Sequence, residues 1–283
     1  MNWRAVLAIG ALGSGLWASG PARADDGALN EGLFGPEPLD VARGVESPIR
    51  LLEEFLRIEF GAKRSSVAVR FRFQNPDTTR TIEQLTGFPD ISLGDYYVGW
   101  PTRITVTQGP LIDMHTFIDG QEVQSEVRKG RVWEDTSGTW SPIRDDSSQT
   151  GRNQLLAWHV VKLRIPPGMT VEVERRYSVT NGNDGASNRF FTYILHTAAA
   201  WKGTIGRLTV DLFLMKSVDE SELDWPRGTP REYGIQCHPD LPAWHRLGPR
   251  HYQLIWADFE PATDLERQYL RVVWNAPGPI PQE

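Results

Sequence analysis

Residues 67–73 alternate without a break: Val67, Val69, Phe71 and Phe73 are apolar, while Ala68, Arg70 and Arg72 are small or charged. Only a strand puts every second side chain on one face, so this segment must lie with one face on a core and the other in water. Asn75-Pro76-Asp77 stops it with turn chemistry. The same period returns at Val171, Val173 and Tyr177, set against Glu172, Glu174 and Arg176, which predicts an antiparallel pairing with a wet outer face. Residues 114–118 and 123–127 flank Asp119-Gly120. Both turn residues adopt positive φ at low cost, so a tight hairpin is expected there. Further extended segments are read at 81–88, 155–165, 190–195, 205–214, 252–256 and 270–274.

Short strands separated by turns at this frequency predict an all-β fold. The expected form is two antiparallel β-sandwich subdomains of immunoglobulin-like style. Residues 49–60 stay open between a helix and a strand pair, because their apolar positions recur at mixed spacing, and a short helix is allowed at 264–268. The expected division is a signal peptide at 1–24 and an extended arm at 25–47, then an N-terminal sandwich with a polar insertion at 48–153 and a C-terminal sandwich at 154–283. Gly203 and Gly206, after Trp201, are read as relief of the backbone where a strand begins.

The signal peptide rests on Arg4, an apolar run over residues 5–18, and Ala22-Arg23-Ala24 ahead of Asp25. The run is too short to span a bilayer, and no later stretch approaches about twenty uncharged apolar residues. The expectation is export to the periplasm or the cell exterior, with no integral membrane segment after cleavage. Cleavage would remove Arg4 and Arg23 and deepen the formal charge from −6 to −8. The remaining basic residues are scattered, which argues against nucleic acid as a partner. Cys237 is the only cysteine, so no intrachain disulfide can form and burial must hold the fold.

Several segments together resemble a family of secreted bacterial proteins known only as domain of unknown function 4424. They are residues 67–75 with Gly87-Phe88-Pro89, then Ile118-Asp119-Gly120, then Trp158 with Pro167-Gly168 before Tyr177. Residues 197–206 with Trp201, Gly203 and Ile205-Gly206 follow, and residues 256–261 close the series. The resemblance implies a two-part β-sandwich and export. It brings no catalytic residues, and it marks the polar stretch around Trp133 and Trp140 and the segment 223–251 as insertions.

Two constellations suggest chemistry. Trp133 and Trp140 lie in a polar stretch where no core period requires them, and Trp225 and Trp244 lie near prolines. Such flat faces can bind sugar rings or a protein partner, or can plug the end of a sandwich. Cys237, His238, His245 and His251 combine thiol and imidazole groups that suit zinc or copper. Their spacing matches no compact finger, and the alternative is a buried cysteine with surface histidines. No Gly-x-Ser-x-Gly elbow occurs after the leader, and adjacent acids such as Asp145-Asp146 point to opposite faces of a strand. The reading is therefore a non-catalytic exported protein that binds an envelope protein or a glycan, with no cofactor. The alternative is a metal-binding protein or metal-dependent hydrolase built on the Cys/His cluster.

Overall fold

The computed structural model describes residues 26–32, 35–39, 44–90, 111–135, 140–143, 151–183, 188–223, 244–259 and 269–275. The N-terminal strands are β1 (Gly27–Gly32), β2 (Gly35–Pro38), β3 (Arg50–Phe60), β4 (Arg64–Gln74), β5 (Ile82–Asp90) and β6 (Ile112–Ile118). The next are β7 (Gln121–Val123), β8 (Glu126–Asp135), β9 (Trp140–Ser141), β10 (Gly151–Ile165), β11 (Thr170–Thr180) and β12 (Gly182–Asn183). The last are β13 (Asn188–Ile194), β14 (Ile205–Leu214), β15 (His245–Gly248), β16 (His251–Phe259) and β17 (Tyr269–Asn275). Among the described residues the only helical segments are two 3-10 turns, His196–Ala200 and Glu220–Glu222. The fold is all-β, as the alternation predicts.

The strands form a six-stranded sheet ordered β2-β1-β5-β10-β8-β9, an eight-stranded sheet ordered β15-β16-β14-β3-β4-β11-β6-β7, and a three-stranded sheet β12-β13-β17. β14 runs parallel to β3, so the eight-stranded sheet is mixed rather than wholly antiparallel as expected. The boundary expected between residues 153 and 154 lies inside β10, and the eight-stranded sheet takes strands from either side of it. The arm at 25–47 contributes an antiparallel hairpin, β1–β2, that adds to β5 at the edge of the six-stranded sheet. At the turn between β6 and β7, Asp119 and Gly120 both have positive φ, 49° and 76°. That is the geometry an Asp-Gly turn favours.

Residues 49–60 resolve into a single strand, and the mixed spacing has a local cause. A bulge lies between Leu51 and Glu53 in the β3–β4 register. An extra residue shifts the inward phase by one. Leu51 is buried before the bulge, and Glu54, Leu56, Ile58 and Phe60 are buried after it. A period-two reading fails across such a shift, and a carboxylate is turned inward by it.

One apolar core collects side chains from all three sheets. Phe88, Leu163 and Ile165 come from the six-stranded sheet, and Val69, Phe71, Val173, Leu208, Val210 and Leu212 from the eight-stranded sheet. Phe191, Val272 and Trp274 come from the three-stranded sheet. A second cluster, Leu29, Val132, Leu156, Trp158 and Val160, packs separately from the first. Leu156, Trp158 and Val160 point oppositely to Val161, Leu163 and Ile165 along β10, so both faces of that strand are buried. Trp158, Trp201 and Trp274 are buried, and Trp256 packs against the main core.

The main core also encloses charge. Arg175 on β11 is fully buried, where the neighbouring pattern Glu172, Glu174, Arg176 marks the wet face. Its Nη2 donates to both carboxylate oxygens of Asp26, at 3.1 and 3.3 Å, and its Nη1 donates to Thr116 Oγ1 at 2.7 Å. The Trp201 indole donates to the Asp26 carbonyl at 2.9 Å. Glu54 lies in the same junction, and the Tyr193 hydroxyl donates to it at 2.9 Å. Burial pushes the Glu54 carboxyl up to about 8; the Tyr193 hydroxyl opposes that shift and the Asp26 charge adds to it. Burial also raises Asp26, against the pull of Arg175. The junction thus joins all three sheets through one guanidinium, two carboxyls whose burial favours the protonated form, and the Tyr193 hydroxyl.

Asp26→Ala leaves the buried Arg175 charge without its counter-ion and should cost about 3–5 kcal/mol in urea unfolding, whereas Glu31→Ala, at an exposed pair with Arg128, should scarcely move the midpoint. A Cβ on Gly206 would meet the Leu52 carbonyl oxygen at 2.6 Å, so Gly206→Val should cost about 1–3 kcal/mol, and an unchanged melting temperature would contradict that packing.

Candidate ligand-binding face

The structure distributes the residues singled out from sequence. Trp133 on β8 is half-buried, and β8 pairs with β9 so that Trp133 faces Ser141 and Glu134 faces Trp140 in register. Trp244 is half-buried against the main core, just before β15 at the edge of the other large sheet. The indole N–H groups of Trp133 and Trp244 are shut off from solvent. Trp225, Cys237 and His238 lie outside the described residues. His245 is exposed and pairs with Gln253, while His251 pairs with Gly248. His251 stacks on Phe213 at 4.1 Å and its Nε2 stands 3.3 Å from Asp211 Oδ1. Among the described residues, no group of three or more His, Cys, Asp or Glu side chains is placed to hold a metal ion.

The solvent face of the eight-stranded sheet carries a feature that the sequence reading missed. Across β3, β4 and β11, Arg57 pairs in register with Ala68, and Ala68 with Arg176. The adjacent row is Glu59, Ser66 and Ser178. Two arginines therefore stand two strands apart, roughly 10 Å, over a floor of small side chains. The result is a groove of about 270 Å³ lined by Arg57, Glu59, Ser66, Ala68, Asp113, Arg176 and Ser178.

Each guanidinium is fixed from two sides. Arg57 lies over the Phe213 ring at 4.4 Å and donates to Glu59 at 2.8 Å. Arg176 lies over Phe117 at 4.6 Å and donates to Glu174 at 2.6 Å. Stacking and ion pairing together hold a planar cation in one orientation, which lowers the entropy lost when a ligand binds it. Asp113 enters the groove from a register shift between β6 and β11, with φ at 54°. An aspartate tolerates this left-handed conformation better than most residues. The lining carries two guanidinium groups and two carboxylates, so it is close to neutral, and its walls are more apolar than polar.

A second cluster joins Ser125, His159 and Asp90. Ser125 Oγ lies 3.5 Å from His159 Nδ1, and His159 Nε2 lies 3.8 Å from Asp90 Oδ2. Proton relay runs at about 2.6–3.2 Å, and both separations exceed that. The cluster therefore gives no support to nucleophilic catalysis.

No protein-family model matches the chain, and no curated protein matches it. Among solved structures, it is similar to a Legionella pneumophila protein provisionally described as nutrient-binding, with 17% identity and a TM-score of 0.51 over 88% of this chain and 72% of that one. It also matches yeast LTA4 hydrolase, with 8% identity and a TM-score of 0.33, over 84% of this chain and 33% of that one. An M1 zinc metallopeptidase from Deinococcus radiodurans gives 10% identity and a TM-score of 0.33, over 80% of this chain and 42% of that one. At such identities the Legionella likeness speaks to the β-rich fold alone.

Proposed function

We propose that this chain is an exported, non-catalytic binding protein of the bacterial envelope that takes a glycan in the groove between Arg57 and Arg176. In this reading the large sheets are the layers of an immunoglobulin-like sandwich, as in the secreted family the sequence resembles. The observation that carries the proposal is the Arg57–Ala68–Arg176 row over Ser66 and Ser178. Sugar hydroxyls both donate and accept, and this lining offers guanidinium donors, carboxylate acceptors and serine hydroxyls together. Its balanced charge favours a neutral glycan over an anionic one. The nutrient-binding description of the Legionella protein agrees with a binding role, and the leader supports export.

Ala68 lies on the solvent face, so Ala68→Trp should fill the groove while leaving the melting temperature within a few degrees. On a glycan array the unmodified protein should retain a subset of neutral glycans, and Ala68→Trp should lose them. An empty array, or full retention by Ala68→Trp, would contradict the assignment. Loss instead in Trp133→Phe or Trp244→Phe would move the site to the sheet edges. N-terminal sequencing of the envelope fraction should begin at Asp25; a retained leader would contradict export.

A further inference from the structure

We propose that the β1–β2 hairpin is an acid-locked clasp: a proton held on the buried Glu54 carboxyl leaves Asp26 seated on Arg175, and its loss releases the hairpin from β5. The inference is independent of what the groove binds.

Among the described residues, the charged and titratable groups at the junction are Asp26 ahead of β1, Glu54 on β3, Arg175 on β11 and Tyr193 on β13, with Thr86, Thr116 and Trp201 as neutral partners. Asp26, Glu54, Arg175 and Tyr193 are at most 1% exposed. One guanidinium balances one carboxylate, so the second carboxyl is tolerated only while it keeps its proton. Among the described residues Glu54 Oε2 has no hydrogen-bond partner, so none of them compensates a second negative charge there.

Topology decides which group yields when that charge appears. Glu54 lies on a strand paired on both sides, by β14 and β4, and Arg175 lies on one paired by β4 and β6. Tyr193 is likewise on a strand between β12 and β17. Asp26 sits instead at the end of β1, which meets β5 through only Gly27, Ala28 and Leu29. Outside the junction the hairpin is held by burial of Ala28, Leu29 and Leu39, by Gln84 donating to the Leu29 carbonyl at 2.7 Å and Thr86 to the Gly27 carbonyl at 3.3 Å, and by the exposed Arg128–Glu31 pair. Withdrawal of Asp26 with β1 breaks the three-residue pairing with β5 rather than an interior strand pairing, at the cost of exposing Ala28 and Leu29, and it lets water reach Glu54 and uncovers the edge of β5.

The sign follows from the raised carboxyl. The closed clasp keeps a proton that the open, hydrated form gives up, so closure is favoured at low pH and weakens as pH rises towards 8. Hydrogen exchange of the exported protein tests this. Protection of residues 27–32, 35–38 and 82–90 should fall about tenfold per pH unit between about pH 5.5 and 7.5, beyond the change in intrinsic rate, and level off above about pH 8. Residues 64–74 should stay protected throughout. Glu54→Gln should remove the dependence. Tyr193→Phe, which loses a hydrogen bond favouring the ionised form, should extend the fall to higher pH and serves if Glu54→Gln does not fold. Protection independent of pH, an unchanged fall in Glu54→Gln, or loss of protection in all sheets together would overturn the clasp.

Discussion

The structure turns on a guanidinium that has no access to water. Arg175 sits at the junction of the three sheets, and its charge is bearable because Asp26 reaches it from the start of the first strand. A chain with one cysteine has no covalent staple. Apolar burial supplies the bulk of its stability, but burial is non-directional. Directional contacts that specify how the sheets meet are concentrated at this junction: Asp26 with Arg175, Tyr193 with Glu54, and Trp201 with the Asp26 backbone; away from it, the Asn75 amide donates to the Ile165 carbonyl at 2.9 Å. Such a network is stable when complete and costly when any member is lost.

The same strand supplies both the junction and the candidate binding face. Arg175 and Arg176 are sequence neighbours, and alternation sends the first into the core and the second to solvent. Inside, the charge is matched by the Asp26 carboxylate from ahead of β1. Outside, Arg176 is matched along its own strand by Glu174 and covered by Phe117, while Arg57 repeats the arrangement two strands away. Small residues between them leave the groove open.

The period-two segments and the Asp119-Gly120 turn were legible because they are local: each depends on a few consecutive residues. Three features were not. The bulge at β3 hides its own phase shift, so Glu54 reads as one more acid on an exposed face. Arg175 reads as part of a basic pair, because nothing in its neighbourhood announces Asp26, far away in sequence. The groove depends on the register that sets Ala68 between Arg57 and Arg176, and register belongs to the sheet rather than to any one strand. The small residues Ser66 and Ala68, interrupting arginines on the wet face of β4, were the available signal. The parallel pairing of β14 with β3 is also non-local, and alternation does not distinguish it from an antiparallel pairing.

A double-mutant cycle in urea tests the central claim most directly. If the buried pair organises the junction, Asp26→Ala and Arg175→Met are each strongly destabilising, and the double variant is more stable than either single one because no unpaired charge remains. Strictly additive losses would show that the two side chains do not depend on each other, and would contradict this account.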